Sequence, residues 1–245
     1  MGLLDNVIPI GELSQGGLWG IYGKSNSGKT TLISTFPKPI LYLQIGDDGT
    51  KSISDVENID VLRIDNPEKL KTVLTELKKN YKYATIVVDT YSMIVNEWQE
   101  ENIISKKKKM TMQAWGDVLT EQNTIVKQCQ VLSQERIVVL TCHEVTDTIE
   151  GMEDEITPDV RPNVSKGART YFEGMCNYGI HTTVLQKEVT NKETGETSIQ
   201  TKHAVHLGSN PYYWTKTQKP SGVKLPRVVL NPTYEKLVNL IAGTK

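Results

Sequence analysis

Leu18-Trp19-Gly20-Ile21-Tyr22-Gly23-Lys24-Ser25-Asn26-Ser27-Gly28-Lys29-Thr30-Thr31-Leu32-Ile33 joins a short apolar run, a glycine- and serine-rich loop and the start of an amphipathic segment. The run predicts a strand, the loop follows the pattern GxxxxGK[ST], and a helix opens near Lys29. Gly23 and Gly28 leave the backbone unobstructed, so successive amides of Gly23, Lys24, Ser25, Asn26, Ser27, Gly28, Lys29, Thr30 and Thr31 can turn toward phosphate oxygens. The positive end of the following helix favours the same anion. The Lys29 ammonium is expected to bridge the β- and γ-phosphates of ATP, and the Thr30 hydroxyl to take one position on Mg²⁺, a hard ion that prefers oxygen ligands. Pro37 ends the helix at about Phe36, because proline lacks an amide donor and disfavours helical geometry in the residue before it.

Outward from this stretch, Ile40–Ile45 predicts a second strand and Val61–Ile64 a third. Asn66-Pro67 opens a helix whose Leu70, Val73, Leu74 and Leu77 share one face. Ala84–Asp89 is apolar until its last residue, the pattern of a central strand buried on both faces. Asp89 at its end is the expected second Mg²⁺ ligand, directly or through water. A helix from Tyr91 to about Ile104, the run Lys106–Lys109 and a second helix through Leu132 lead to another buried strand, Ile137–His143. Residues 144–163, polar and acidic with two prolines, predict a long mobile loop. A helix is expected over Ser165–Met175, then antiparallel strands Tyr178–Lys187 and Ser198–Leu207 joined by a turn at 191–196. Strands alternating with helices and then a hairpin predict an α/β fold: a mostly parallel central sheet flanked by helices, with antiparallel strands at the carboxy-terminal side. One domain is expected over 1–245, its core about 16–187 and its extension about 188–245.

The 245 residues, 38% hydrophobic and 23% charged, have a soluble globular composition. The amino terminus does not read as a signal peptide and no apolar run reaches transmembrane length, so a cytoplasmic protein without membrane association is expected. Cys129, Cys142 and Cys176 each lie in an apolar stretch without CxxC spacing and read as small core residues in a reducing compartment. The net charge of −1 conceals an asymmetry: residues 1–160 carry 16 basic and 24 acidic side chains, residues 161–245 carry 12 and 5. The basic third can attract a polyanion, because the field is local and screened within about 8–10 Å.

Hydrolysis requires a group that orients water at the γ-phosphate. Asp89-Thr90 offers no carboxylate directly after the metal aspartate, whereas Asp47-Asp48 ends the strand after the phosphate-loop helix. With these parts in order, Gly23–Thr30, Asp47-Asp48-Gly49, Thr85–Thr90 and Val138–Glu144, the chain resembles the phage-encoded P-loop ATPases of the RecA superfamily, a group that includes single-strand annealing proteins. The resemblance implies a RecA-like core that works as a ring or filament on single-stranded DNA in recombination, annealing or repair, with a single-strand binding protein as a further partner. It implies that Asp47, or Asp48, stands for the family's catalytic glutamate, one methylene shorter. It also implies that His143 is a sensor of the γ-phosphate. The two DNA-contacting loops would fall at Ser105–Thr111, with Lys106, Lys107, Lys108 and Lys109, and at Glu144–Ser165, followed by Lys166 and Arg169. Lysine runs bind phosphates without sequence preference. The second loop carries Arg161 but many carboxylates. Lys216 would reach a neighbouring subunit's triphosphate, with Gln218 where relatives often have arginine. Other readings are a nucleotide-controlled DNA-binding or loader module with little hydrolysis, and a small-molecule kinase, which the lack of an arginine-rich lid disfavours. A GTPase is disfavoured because Asn191-Lys192-Glu193-Thr194 lacks the aspartate that reads guanine.

Overall fold

In the computed structural model, which describes residues 16–46, 49–150, 156–190 and 197–244, the opening stretch forms β1 (Gly17–Tyr22) and a short helix α1 (Lys29–Ile33). Every residue of β1 is buried, as expected of a strand with helices on both faces. Its alternation sorts the core in two. Leu18 and Tyr22 face one layer while Trp19 and Ile21 face the other.

The chain continues through β2 (Ile40–Ile45), a 3₁₀ turn (Gly49–Ile53), β3 (Ile59–Ile64), α2 (Pro67–Leu77) and β4 (Thr85–Asp89). Helix α3 (Ile94–Gln99) is extended by a wider π-type coil at Glu100–Ile104, and α4 (Met112–Leu132) leads to β5 (Ile137–Cys142). Then come β6 (Glu144–Glu150), β7 (Ile156–Pro162), α5 (Lys166–Met175), β8 (Tyr178–Thr190), β9 (Thr197–His206), β10 (Lys216–Thr217), β11 (Val228–Leu230) and α6 (Tyr234–Ala242). The main sheet runs β11-β9-β8-β1-β5-β4-β2-β3, with β10 on β8. The six strands from β8 to β3 are parallel, and β9, β10 and β11 are antiparallel to their neighbours. This is a RecA-like P-loop core: β5 stands between the phosphate-loop strand β1 and the aspartate strand β4.

Helices α2 to α5 cover one face, and α1 with α6 the other. Helix α2 starts as its sequence dictates, Asn66 Oδ1 accepting from the Lys69 amide at 2.8 Å with Pro67 in the first turn, and it buries Leu70, Leu74 and Leu77. Phe172 of α5 is fully buried, 5.4 Å from the Tyr91 ring and 6.0 Å from Trp214. Phe172→Ala is expected to cost about 3–5 kcal/mol, read as a lowered urea midpoint at unchanged slope. All three cysteines are buried; burial pushes the Cys129 thiol up to about 12 and raises those of Cys142 and Cys176 as well. Among the described residues no helix is long and apolar enough to cross a membrane.

Two expectations are corrected. The stretch read as a long mobile loop is an antiparallel hairpin, Glu144 pairing with Pro162 and onward to Glu150 with Ile156. Its acidic residues obscured an alternation that puts Val145 and Val160 in strands, and Val160 is also tied to the segment before β10, its amide donating to the Tyr212 carbonyl at 2.7 Å. Strand β8 is not purely part of an antiparallel hairpin: its first residues pair in parallel with β1, Trp19 with Tyr178 through Tyr22 with His181. The predicted turn at 191–196 lies outside the described residues.

Candidate nucleotide site

The parallel register brings the carboxyl ends of β1, β5 and β4 level, Tyr22 opposite Cys142 and Val88 opposite Leu140. Ligands bind in the crevice at that edge of an open α/β sheet. The phosphate loop occupies it. Gly23 has φ 154°, and a Cβ there would stand 2.4 Å from the Thr182 carbonyl oxygen, so only glycine lets the loop leave β1 beside β8. Gly28 has φ 92° and directly precedes α1, with the His203 ring against it. Ser27 Oγ lies 2.6 Å from Thr182 Oγ1, which donates to the Tyr22 carbonyl at 3.1 Å. The loop is thus tied to both neighbouring strands before any ligand arrives, which lowers the ordering cost of binding.

The Lys29 ammonium donates to the carbonyls of Gly23 at 3.0 Å and Lys24 at 2.8 Å, a position inside the loop's own curl. Lys29, Thr30, Thr31 and Asp89 line one cavity of about 390 Å³ with Ser25, Asn26 and Gly28. Asp89 is only 6% exposed; its Oδ1 accepts from Thr141 Oγ1 at 2.5 Å and from Thr90 Oγ1 at 3.2 Å. A Cβ built on Gly49 would stand 3.2 Å from Thr30 Oγ1 and 3.8 Å from Asp89 Oδ2, so these two oxygens flank the same small space. A hydroxyl and a carboxylate converging there are the donor set a hard divalent cation takes, and the residues present therefore fit Mg²⁺.

His143 also lines this cavity, its amide donating to Ser92 Oγ at 3.1 Å. Asp47 and Asp48 lie outside the described residues. Lys106, Lys107, Lys108 and Lys109 are exposed between the π-type coil and α4. Because α4 runs back to the start of β5, its amino end and the lysine run lie toward the sheet edge that carries the phosphate loop.

Other basic residues are differently employed. Arg161 is paired with Asp159 at 2.6 Å and Glu173 at 3.5 Å, and Arg169 with Asp147 at 2.5 Å, whereas Lys166 is exposed. The two guanidinium groups join the hairpin to α5, and the carboxylates that argued against DNA are partly the partners of these arginines. The Lys216 ammonium donates to the carbonyls of Glu173 at 3.0 Å and Gly174 at 2.7 Å. It satisfies orphan carbonyls at the end of α5, and Lys216 pairs with Gly179 near the start of β8, away from the phosphate loop.

Sequence reasoning missed Thr141, Thr182, Lys51 and His203, the last two on the wall of the Lys29 cavity. Thr141 had a signal, a hydroxyl inside an otherwise apolar strand; His203 had none, because only the folding of β9 over the loop brings it near. A second cavity, about 540 Å³, lies on the loop's other flank between Lys24, the β6–β7 hairpin and β8. At its side His181 bonds Glu144 at 2.8 Å and stacks on Tyr213, and burial holds its imidazole below the ordinary range against the opposing pull of Glu144.

The fold is similar to that of an ATPase from the type III secretion system of pathogenic bacteria, with 14% identity over 68% of this chain and 52% of that one and a TM-score of 0.43. This chain thus spans about half the length of that ATPase. It is also similar to a KaiC-like protein from the hyperthermophilic archaeon Pyrococcus horikoshii OT3, with 13% identity over 89% of this chain and 90% of that one and a TM-score of 0.44. No curated protein sequence matches. The profile of the AAA domain family matches residues 19–207, from the phosphate-loop strand through the β8–β9 hairpin, and the chain belongs to that family.

Proposed function

We propose that this chain is a Mg²⁺-dependent ATPase that acts on single-stranded DNA in recombination, annealing or repair. It works in the cytoplasm, the host's if the chain is phage-encoded, as a ring or filament of identical copies, with a single-strand binding protein as a further partner. Each copy acts through one RecA-like domain, core about 16–187 and extension about 188–245. The observation that carries the ATPase reading is the convergence of Thr30 and Asp89 oxygens beside Gly49 in the cavity that Lys29 enters.

The amides from Gly23 to Thr31 hold the phosphate tail, and the Lys29 ammonium turns from its loop carbonyls to the β- and γ-phosphates. Thr30 and Asp89 hold Mg²⁺, which when bound neutralises charge on the phosphoryl oxygens. Thr141 fixes the Asp89 carboxylate through its 2.5 Å bond. Asp47 or Asp48, next to the turn that opens at Gly49, orients the attacking water, and His143 passes the state of the γ-phosphate to the hairpin beginning at Glu144.

Lys106–Lys109, an exposed run, supply the DNA contact. Replacing all four by alanine is expected to weaken single-strand binding and to flatten its salt dependence by a slope of up to about 3 in log K against log salt. An anisotropy titration at several salt concentrations measures both; identical slopes for variant and wild type place the DNA surface elsewhere. The whole reading is tested by phosphate release with Mg²⁺ or chelator, with and without single-stranded DNA, across a series of protein concentrations. Mg²⁺ dependence, DNA stimulation and specific activity rising with concentration are the expected results. The in-chain employment of Lys216 favours one second reading, a nucleotide-controlled loader with little turnover, in which ATP changes DNA affinity while phosphate release stays at background.

A further inference from the structure

We propose that His203 is a nucleotide-contacting residue that donates a ring N–H to the polyphosphate tail, so that the β8–β9 hairpin closes the site from the carboxy-terminal side. The inference rests on the nucleotide reading above and adds to it a residue outside the phosphate loop.

The geometry is local and specific. A Cβ on Gly28 would stand 2.6 Å from His203 Nδ1 and 3.1 Å from its Cγ, so the imidazole lies directly against the bare Cα of the residue before Lys29. The same ring lines the cavity of Lys29, Thr30, Thr31 and Asp89. Among the described residues, every one around that cavity is polar or glycine. Such a lining suits a charged polyphosphate tail, with lysine, hydroxyl, amide and imidazole donors, better than an apolar nucleobase. An imidazole offers one N–H when neutral and two when protonated, and a hydrogen bond to a charged acceptor is stronger than a neutral one.

The backbone that carries the ring is held on both sides. His203 pairs with Val184 across the hairpin, and its carbonyl accepts from the Asn231 amide at 2.7 Å. Two residues before Val184 on the same strand, Thr182 contacts Ser27 of the loop. The hairpin and the phosphate loop are therefore one connected unit on this flank, and a contact made by His203 requires no large closing movement. A purely steric role, the ring as a buttress that confines position 28 to glycine, would demand bulk but not a donor. That difference makes the proposal testable.

The experiment is equilibrium titration of a fluorescent ATP analogue into wild type, His203→Ala, His203→Asn and Lys29→Ala. It is paired with diethyl pyrocarbonate labelling of wild type read by mass spectrometry. His203→Ala is expected to bind about ten- to thirtyfold more weakly at unchanged nucleotide-free Tm. His203→Asn, which keeps an N–H donor in a similar place, is expected to recover part of the loss. ATP should slow labelling of His203, while adenosine should not. Wild-type affinity in a folded His203→Ala protein, or labelling of His203 at the same rate with and without ATP, overturns the proposal. Should His203→Ala fail to fold, the asparagine variant and the labelling decide it. If Lys29→Ala binds as tightly as wild type, the nucleotide reading itself falls. If Lys29→Ala binds weakly while His203→Ala is silent, only the role of His203 falls.

Discussion

Alanine in place of Lys29 is expected to lower ATP turnover by about 10²- to 10³-fold, the loss that follows removal of one preorganised donor aimed at developing charge. The ammonium is seated within the curl of the loop itself, on the carbonyls of Gly23 and Lys24. On binding it exchanges those neutral acceptors for phosphate oxygens, so the exchange strengthens as charge accumulates on the transferring group. The variant also loses an internal brace of the loop, and part of the effect will therefore appear as weaker nucleotide binding. Single-turnover measurement at saturating ATP separates the two, because a residue that only braced the loop would raise KM and leave the saturated rate unchanged. A wild-type saturated rate in the variant removes Lys29 from the chemistry.

The parallel sheet and its phosphate loop were legible because both announce themselves locally. Ala84–Asp89 is apolar to its last residue, and β4 ends at that aspartate. Asn66-Pro67 starts a helix through short-range geometry, and α2 begins there. What escaped reading depends on contacts between distant segments. The hairpin of β6 and β7 is built from residues whose charges suggested solvent, yet Asp147 and Asp159 are partners of Arg169 and Arg161. A charge in a sequence shows its sign but not its counterion. Lys216 carried the same ambiguity, a cation whose acceptors turned out to be carbonyls at the end of α5. Thr141 comes to Asp89 through strand register and His203 to the Lys29 cavity through hairpin folding, neither of which any window of neighbouring residues encodes.

Asparagine in place of Asp89 is the other substitution expected to have a large effect, again about 10²-fold or more in turnover, with a raised requirement for Mg²⁺. It keeps the volume of the side chain and an oxygen able to accept from Thr141 Oγ1, so the strand end and its 2.5 Å hydrogen bond can persist. What it removes is the negative charge opposite the cation, and a hard divalent ion loses more from that than from a small change in shape. Thr141→Val makes the complementary change. It leaves the carboxylate charged but takes away the hydroxyl that orients it, and the buried oxygen loses an acceptor bond, for which a loss of several-fold is expected. Titrating Mg²⁺ at saturating ATP distinguishes the outcomes: Asp89→Asn should shift the half-maximal Mg²⁺ concentration strongly and Thr141→Val slightly. Were Asp89 only the cap of a strand end, Asp89→Asn would leave the Mg²⁺ profile where it was and change the Tm alone. A carboxylate that is 6% exposed and shares with the Thr30 hydroxyl the small space beside Gly49 is placed to take a divalent cation there.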